Sequence, residues 1–363
     1  MSRHSAQRIF AALTTLLLIS ACTSPTPRDA SGAESTVQVT VMAFNVENLF
    51  DNVDDPGKDD KAYLPIAAKQ GQAHIAGCNE IAVPRWRDEC LYLDWNEATL
   101  QYKLAVLADT IRQANGGQGA DIIALQEIEN IRILERLRTG YLNDLGYLPA
   151  ILIEGADLRG IDVAFLSRVP LAQPPTLHPL SLAEFPDRKR DTRGVLQADF
   201  LLPNGAVLTG FSVHFPAPFH PTGMRVAAYD HLNSLLQALP KDHHAFAAGD
   251  FNTTSREDAE QNMLDRFARP NWTVAHDIGC AGCKGTQYYA RDDSWSFLDM
   301  ILFAAARGEK TTARMRAESV RIANENPAQV SRFDTPLRFN AAERRGVSDH
   351  WPMIATIEVT QKQ

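Results

Sequence analysis

Apolar runs that stop abruptly on a polar residue recur from one end of this chain to the other. Phe44 gives way to Asn45 in Phe44-Asn45-Val46-Glu47-Asn48, and Leu125-Gln126 leads to Glu127. Further on, Ser212-Val213 ends at His214, Gly249 precedes Asp250 and Asn252, Ser296-Phe297-Leu298 ends at Asp299, and Ser348 precedes Asp349 and His350. Such runs read as strands, and a polar residue at a strand end stands at a sheet rim. These ends span positions 45 to 350. A rim that gathers them therefore needs one domain that brings both ends of the chain together. No repeat and no internal linker interrupts the sequence after residue 40.

The rest of the pattern supports a mixed α/β domain. Alternating and apolar runs predict strands over 37–44, 121–125, 163–166, 195–201, 207–213, 244–248, 297–303, 319–322 and 353–359. Helical spacing predicts helices over 98–114, before Asn115-Gly116-Gly117, over 131–145, and over 225–239, before Pro240. Pro203-Asn204-Gly205 between two strands is a hairpin signal, so antiparallel neighbours stand beside crossovers and the sheet is mixed. Residues 51–98 show no sustained period and read as a long insertion, a kind of segment that commonly carries function.

The first residues belong to a different class. Arg3 and Arg8 precede an apolar stretch over 9–19 that is too short to span a bilayer. Ile19-Ser20-Ala21-Cys22 follows, then Thr23-Ser24-Pro25-Thr26-Pro27. This resembles a bacterial lipoprotein signal over 1–21, with Cys22 as the lipidated first residue, 22–36 as a flexible tether and 37–363 as the folded domain. The chain is then expected to be exported and held in the cell envelope by its lipid. An ordinary cleaved secretory signal is the alternative.

Export places the remaining cysteines in an oxidising compartment, where an even number reads as disulfides. Proximity favours Cys78 with Cys90 and Cys280 with Cys283. A zinc site is the rival, because Cys280-Ala281-Gly282-Cys283 has ligand-like spacing, but the spacing of Cys78 and Cys90 is not that of a zinc knuckle. A redox-active pair at 280 and 283 is a third reading.

The net charge is −8, and it becomes more negative once Arg3 and Arg8 leave with the signal. A protein that held nucleic acid by bulk positive charge would have the opposite balance. An enzyme that uses local cations and a metal need not.

Carboxylates, amides and two histidines gathered at one rim make a hard-cation site with acid/base groups beside it, which suits phosphoester hydrolysis. Each group alone has a plainer reading. Glu127 could be a surface acid, Asp250 and Asn252 an Asx turn, and His214 a core histidine. Together, in the order Asn, Glu, His, Gly-Asp-x-Asn, Asp, Ser-Asp-His, residues 37–360 resemble the endonuclease/exonuclease/phosphatase superfamily. The Asn-Val-Glu-Asn-Leu-Phe-Asp opening at 45–51 looks most like its secreted bacterial members.

The resemblance implies a four-layer α/β sandwich of two packed mixed sheets flanked by helices, with the catalytic residues at one rim. It also implies Glu127 as the principal ligand of Mg²⁺ or Mn²⁺, helped by Asn45 and Asp349, with Glu129 excluded. Asp250 would orient or deprotonate the attacking water, and Asn252 would hold water and phosphate. His350, supported by Asp299, would bind a non-bridging phosphate oxygen, with His214 as a second phosphate contact. The glycine before Asp250 would let backbone approach the substrate.

Arg159 stands where the family carries a substrate contact, although it could instead pair with Asp162. Arg225 is either near the phosphate or solvated, and His74, His220, His231, His243 and His244 are read as surface residues. The activity implied is a metal-dependent phosphodiesterase or nuclease, with nucleic acid among its substrates. The alternatives are a phosphomonoesterase, a sphingomyelinase-like lipid-headgroup esterase, and a catalytically silent binding protein on the same scaffold.

Overall fold

Val39 to Phe44 are buried without interruption, so both faces of the first strand must be covered. A strand covered on both sides reads as a continuous apolar run. A computed structural model describes residues 35–361 except 181 and 189–191. The expected signal, Cys22 and all but the end of the expected tether lie outside the described residues. The described residues fall within one unit, Glu34–Gln363.

The strands in chain order begin with β1 (Ser35–Leu49), β2 (Ile122–Ile128), β3 (Ile151–Leu152), β4 (Asp162–Ser167) and β5 (Thr176–His178). β6 (Val195–Leu201), β7 (Val207–His214), β8 (His244–Asp250) and β9 (Thr273–Val274) follow. The last are β10 (Gln287–Tyr289), β11 (Ser294–Ser296), β12 (Asp299–Ala304), β13 (Thr311–Ile322) and β14 (Met353–Gln361). One six-stranded sheet has the order β13-β14-β1-β2-β4-β3, a second has β5-β6-β7-β8-β12-β9, and β10-β11 form a small hairpin. Both large sheets are mixed. β1 and β2 run parallel, as do β7 and β8, while the other neighbours are antiparallel.

Alternation sorts each strand between two cores. Val39, Val41 and Ala43 of β1 join Phe165, Phe200, Phe246 and Ile301 in the layer between the sheets. There Phe165 meets Phe200 and Phe246 edge-on at 5.5 and 6.2 Å, and truncating such a residue to Ala costs about 3–5 kcal/mol. Met42 and Phe44 face the other way, into a core with α3 (Glu97–Gly117) and α4 (Ile131–Tyr141). Phe211, Val213 and Ala247 pack outward against Tyr229 and Leu232 of α5 (Thr222–Ala238). The result is the four-layer sandwich.

Several boundaries differ from expectation. β1 begins at Ser35, so residues 35 and 36 are strand rather than tether. The insertion is not irregular. It holds helices α1 (Gln72–Asn79) and α2 (Pro84–Tyr92), joined by the Cys78–Cys90 disulfide. Neither helix is long enough to show a period in sequence. Cys280 is bonded to Cys283. α3 starts one residue early because the Asn96 side chain accepts from the Thr99 amide at 3.0 Å, and its regular turns end where Asn115 and Gly116 adopt φ of 54° and 65°. Among the described residues, no helix is long and apolar enough to cross a membrane.

Candidate active site

Pairing register brings the strand ends together. Asn45 is opposite Gln126 across the parallel β1–β2 pair, His214 is opposite Asp250 across β7–β8, and Asp299 is opposite Asp250 across β12–β8. Immediately beyond these pairs the ladder breaks. Register shifts occur between Asn45 and Leu49 on β1 and between Gln126 and Ile128 on β2. Glu47, Asn48, Glu127 and Asn252 all have positive φ, between 51° and 64°. Side chains other than glycine rarely adopt that region, and bulges use it to redirect a side chain out of its alternation. Glu127 is the unpaired residue of its bulge, and its carboxylate turns to the rim instead of into a core.

The rim groups form one hydrogen-bonded network. The Asn45 amide nitrogen Nδ2 donates to Asp250 Oδ2 at 3.0 Å and to Glu127 Oε1 at 3.4 Å, and the Asn45 backbone N–H donates to Asp299 Oδ1 at 3.1 Å. Glu127 Oε2 accepts from the Asn48 amide at 2.9 Å. Asp250 Oδ1 accepts from the Asn252 amide at 2.8 Å, so both of its oxygens are held. His350 Nδ1 is 2.6 Å from Asp299 Oδ2, and His214 Nε2 is 3.5 Å from Asp250 Oδ2. Asn252 Nδ2 is bound to the Phe215 carbonyl, and Ser348 Oγ donates to the Asn45 carbonyl.

Burial and charge then separate the two imidazoles. Burial alone would lower His350, but the Asp299 carboxylate in contact, with Asp250 and Asp349, raises it well above its ordinary value, so it is a cation. His214 is lowered well below the ordinary range by burial, then by Arg193, Arg159 and His350, so it is neutral. Asp250 is pushed up to about 7 by burial and by Asp299, against the opposing charge of His350.

Asp349 is tied elsewhere. Its Oδ2 accepts from Arg338 at 2.7 Å, and Arg338 also holds Glu47 at 2.5 Å. Glu47 accepts the Asp349 amide at 3.0 Å, and burial with the nearby Asp349 pushes it up to about 8. Lys103, fully buried, donates to the carbonyls of Val46 and Val347 at 2.7 and 2.6 Å, pinning the end of β1 to the segment that carries Asp349.

Glu47, Arg338, Lys103 and Arg193 were not singled out in the sequence. Glu47 had a signal, since it lies two residues after Asn45. Arg338 and Lys103 come from distant segments and had none. Arg193 is buried, 3.2 Å from Asp157.

Other expectations need correction. Arg159 does not pair with Asp162. Its guanidinium donates to Asn48 Oδ1 at 2.9 Å, while Asp162 accepts the Gly155 amide. Arg225 is not solvated. It is buried against Glu257 and the carbonyls of Pro216, Ala217 and His220, bracing the loop after β7. Gly249 is required by the sheet itself. At φ 143°, a Cβ there would lie 2.1 Å from the Val213 carbonyl and 2.8 Å from Gln126 Nε2. Its constraint comes from sheet packing.

His244 is not a surface residue. It is fully buried, bound to Thr311 at 2.9 Å and to the Ala306 amide. His74, His231 and His243 are half-buried, and His74 and His243 bond Cys90 and Thr209. Glu129 lies outside this network and accepts the Asp51 amide.

Glu127 and Asp349 offer carboxylate oxygens without thiolate, the kind of donor that suits a hard divalent cation, while Asn45 turns Nδ2 to Glu127 and its Oδ1 accepts from the Glu47 amide at 3.0 Å. Burial, and after it the Asp299 carboxylate, raise Asp250, and a cation at the rim would oppose that rise. The residues fit a metal of that kind.

Comparison with known proteins places the chain in a family and its fold among solved structures. The model of the Endonuclease/Exonuclease/phosphatase family matches residues 95–350, ending on His350. A solved endonuclease/exonuclease/phosphatase from Bacteroides vulgatus is 17% identical, with a TM-score of 0.52 over 88% of this chain and 98% of its own. A family protein from Bacteroides thetaiotaomicron is 15% identical, with a TM-score of 0.54 over 91% and 100%. The mannosyl-6-phosphatase of the same organism is 16% identical, with a TM-score of 0.51 over 88% and 99%. At these identities the likeness is one of fold. No curated protein sequence matches the chain.

Proposed function

We propose, from the premise that this chain belongs to the endonuclease/exonuclease/phosphatase family and is a hydrolase of phosphoric esters, that it is a phosphodiesterase acting by in-line attack of water. The observation that carries this reading is the placement of two imidazoles around Asp250 at one rim, His350 bound to Asp299 at 2.6 Å and His214 3.5 Å from Asp250.

Asp250, held on both oxygens by Asn45 and Asn252, takes the proton of the attacking water as its oxygen bonds to phosphorus. His350 donates a hydrogen bond to a non-bridging oxygen as negative charge grows there, and Asp299 keeps the ring charged and oriented. His214, neutral, supplies a second contact on the opposite side of Asp250. Asn252 holds the water's neighbourhood, and Arg159, exposed and anchored only on Asn48, contacts the substrate outside the reacting group. Glu127, with Asn45 and Asp349, would hold Mg²⁺ or Mn²⁺, which supplies charge neutralisation at the phosphoryl group.

A second reading, a phosphomonoesterase, draws support from the fold likeness to a mannosyl-6-phosphatase. The lipid anchor at Cys22 and a place in the cell envelope remain part of the proposal, resting on residues 19–22.

Purified mature protein with Mg²⁺ or Mn²⁺ should be tested on bis-p-nitrophenyl phosphate, p-nitrophenyl phosphate, plasmid DNA, RNA and sphingomyelin. Chelator-sensitive hydrolysis of diesters ahead of the monoester is expected. Faster hydrolysis of the monoester would replace the first reading with the second, and activity undiminished by excess EDTA would remove the metal assignment.

A further inference from the structure

Next to the rim, the segment that follows β1 carries Asp51, Asp54, Asp55, Asp59 and Asp60 within ten residues. Asp60 and Glu129 are each only 2% exposed. Oxygens of Asp55, Asp60 and Glu129 all lie within 4.8 Å of one another, and the Asp54 carboxyl lies against Asp60. Each buried acid spends one oxygen on the backbone. Asp60 Oδ2 accepts the Asp55 amide at 2.8 Å, and Glu129 Oε2 accepts the Asp51 amide at 2.6 Å. Their other oxygens, Asp60 Oδ1 and Glu129 Oε1, are buried with no partner. Arg132 reaches Asp51 and Asp55 from a side chain that is more than half exposed, and it does not contact either of those oxygens.

Buried carboxylate oxygens without a donor are costly, and a bound cation is one way in which that cost is met. We propose that Asp54, Asp55, Asp60 and Glu129 form a second cation site, for Ca²⁺, separate from the rim network of Glu127. The donors are all carboxylate oxygens, three from the segment after β1 and one just past the end of β2, with Asp55 also held by Arg132 and Asn130. Ca²⁺ accepts such a set, whereas Mg²⁺ gives up its waters reluctantly and would not readily enter a dry cluster.

The site would brace the active-site surroundings without touching the reacting groups. The Glu129 amide donates to the Leu49 carbonyl, joining the ends of β1 and β2, and the Asp59 amide donates to the Leu158 carbonyl at 2.8 Å. Lys58 Nζ reaches the Asp157 carbonyl at 3.2 Å. A bound cation thus fixes the loop against the turn that presents Arg159, a consequence that rests on the phosphodiesterase reading, although the site itself does not.

The test titrates EGTA-stripped protein with Ca²⁺ in saturating Mg²⁺, followed by calorimetry and by melting temperature. Wild type should bind one Ca²⁺ with Kd below about 1 mM and melt about 3 °C or more higher when saturated. Glu127→Gln should keep this uptake. Asp60→Asn and Glu129→Gln should each lose it while keeping the wild-type near-ultraviolet circular dichroism.

Absence of saturable Ca²⁺ binding by wild type would overturn the site, leaving those acids neutralised by protons alone. Uptake lost in Glu127→Gln and kept in Asp60→Asn would assign the ion to the rim and overturn it equally. Ca²⁺ uptake with no phosphoesterase activity would sustain the site and sink the functional reading.

Discussion

His350 Nδ1 stands 2.6 Å from Asp299 Oδ2, although the residues belong to segments on opposite sides of β13 in the chain. Asp299 itself is fully buried and receives the Asn45 backbone N–H on its other oxygen. The pair is therefore oriented from both sides before any substrate arrives.

His350→Ala and Asp299→Asn should each lower kcat by about 10²–10⁴-fold, the usual contribution of a positioned acid/base or charge-stabilising group. Circular dichroism should be unchanged for both. A variant that retains more than about a tenth of the wild-type rate would remove its residue from the mechanism.

Asp250 must be ionised to take a proton, so kcat/KM should rise with pH along an acid limb. With Asp250 pushed up to about 7 in the metal-free protein, a bound cation should hold that limb at or below neutrality. His350 opposes the rise through its charge. The residual activity of His350→Gln should therefore have its acid limb displaced to higher pH, measured as kcat/KM across pH 5 to 9. A limb that stays in place would break the coupling between the two groups.

Gly249→Ala should destabilise the fold by about 3 kcal/mol or more, since its Cβ would meet a backbone oxygen that cannot move without disturbing β7. Urea midpoints of wild type and variant read this directly. A cost under about 1 kcal/mol would mean that the β7–β8 pair yields easily.

His244 is lowered to about 4 by burial and by His243. The unfolded chain then binds a proton there between about pH 6.5 and 4 that the folded chain refuses. Stability from this residue is complete above the unfolded value and is lost as pH falls through that window, by about 2–3 kcal/mol. His244→Gln should be less stable than wild type at pH 7.5, with the gap narrowing at pH 4.5. An equal gap at both, from urea unfolding, would show that the histidine is not held neutral.

Much of this rim was readable because strand ends announce themselves. Asn45, His214 and Asp250 each follow an apolar strand run, whereas Asp299 opens β12 rather than closing a strand, and register then makes them neighbours. Glu127 was readable as a strand-end acid, but not the bulge that turns it, because bulges leave no mark on hydrophobic alternation. Arg338 meets Glu47 and Asp349 from an irregular segment, where no period points to a partner. His244 was misread because a strand covered on both faces gives a polar residue no exposed side to take. The helices at 72–79 and 84–92 were missed for a different reason, since eight or nine residues are too few to establish a 3.6-residue period.

β1 pairs Ser35 with Gln361 at its start and carries Asn45 toward its finish. At strand rise, those ten residues cover about 33 Å. Entry and exit of the domain thus share one pole, and the chemistry occupies the other. A short linker could join 361 back to 35 and new ends be opened in a surface loop, because residues 35 and 361 already lie side by side. The same polarity makes the 35/361 pole the point of choice for immobilisation. A bead or bilayer grafted there would leave the rim facing open solution, with the length of the sheet as its standoff.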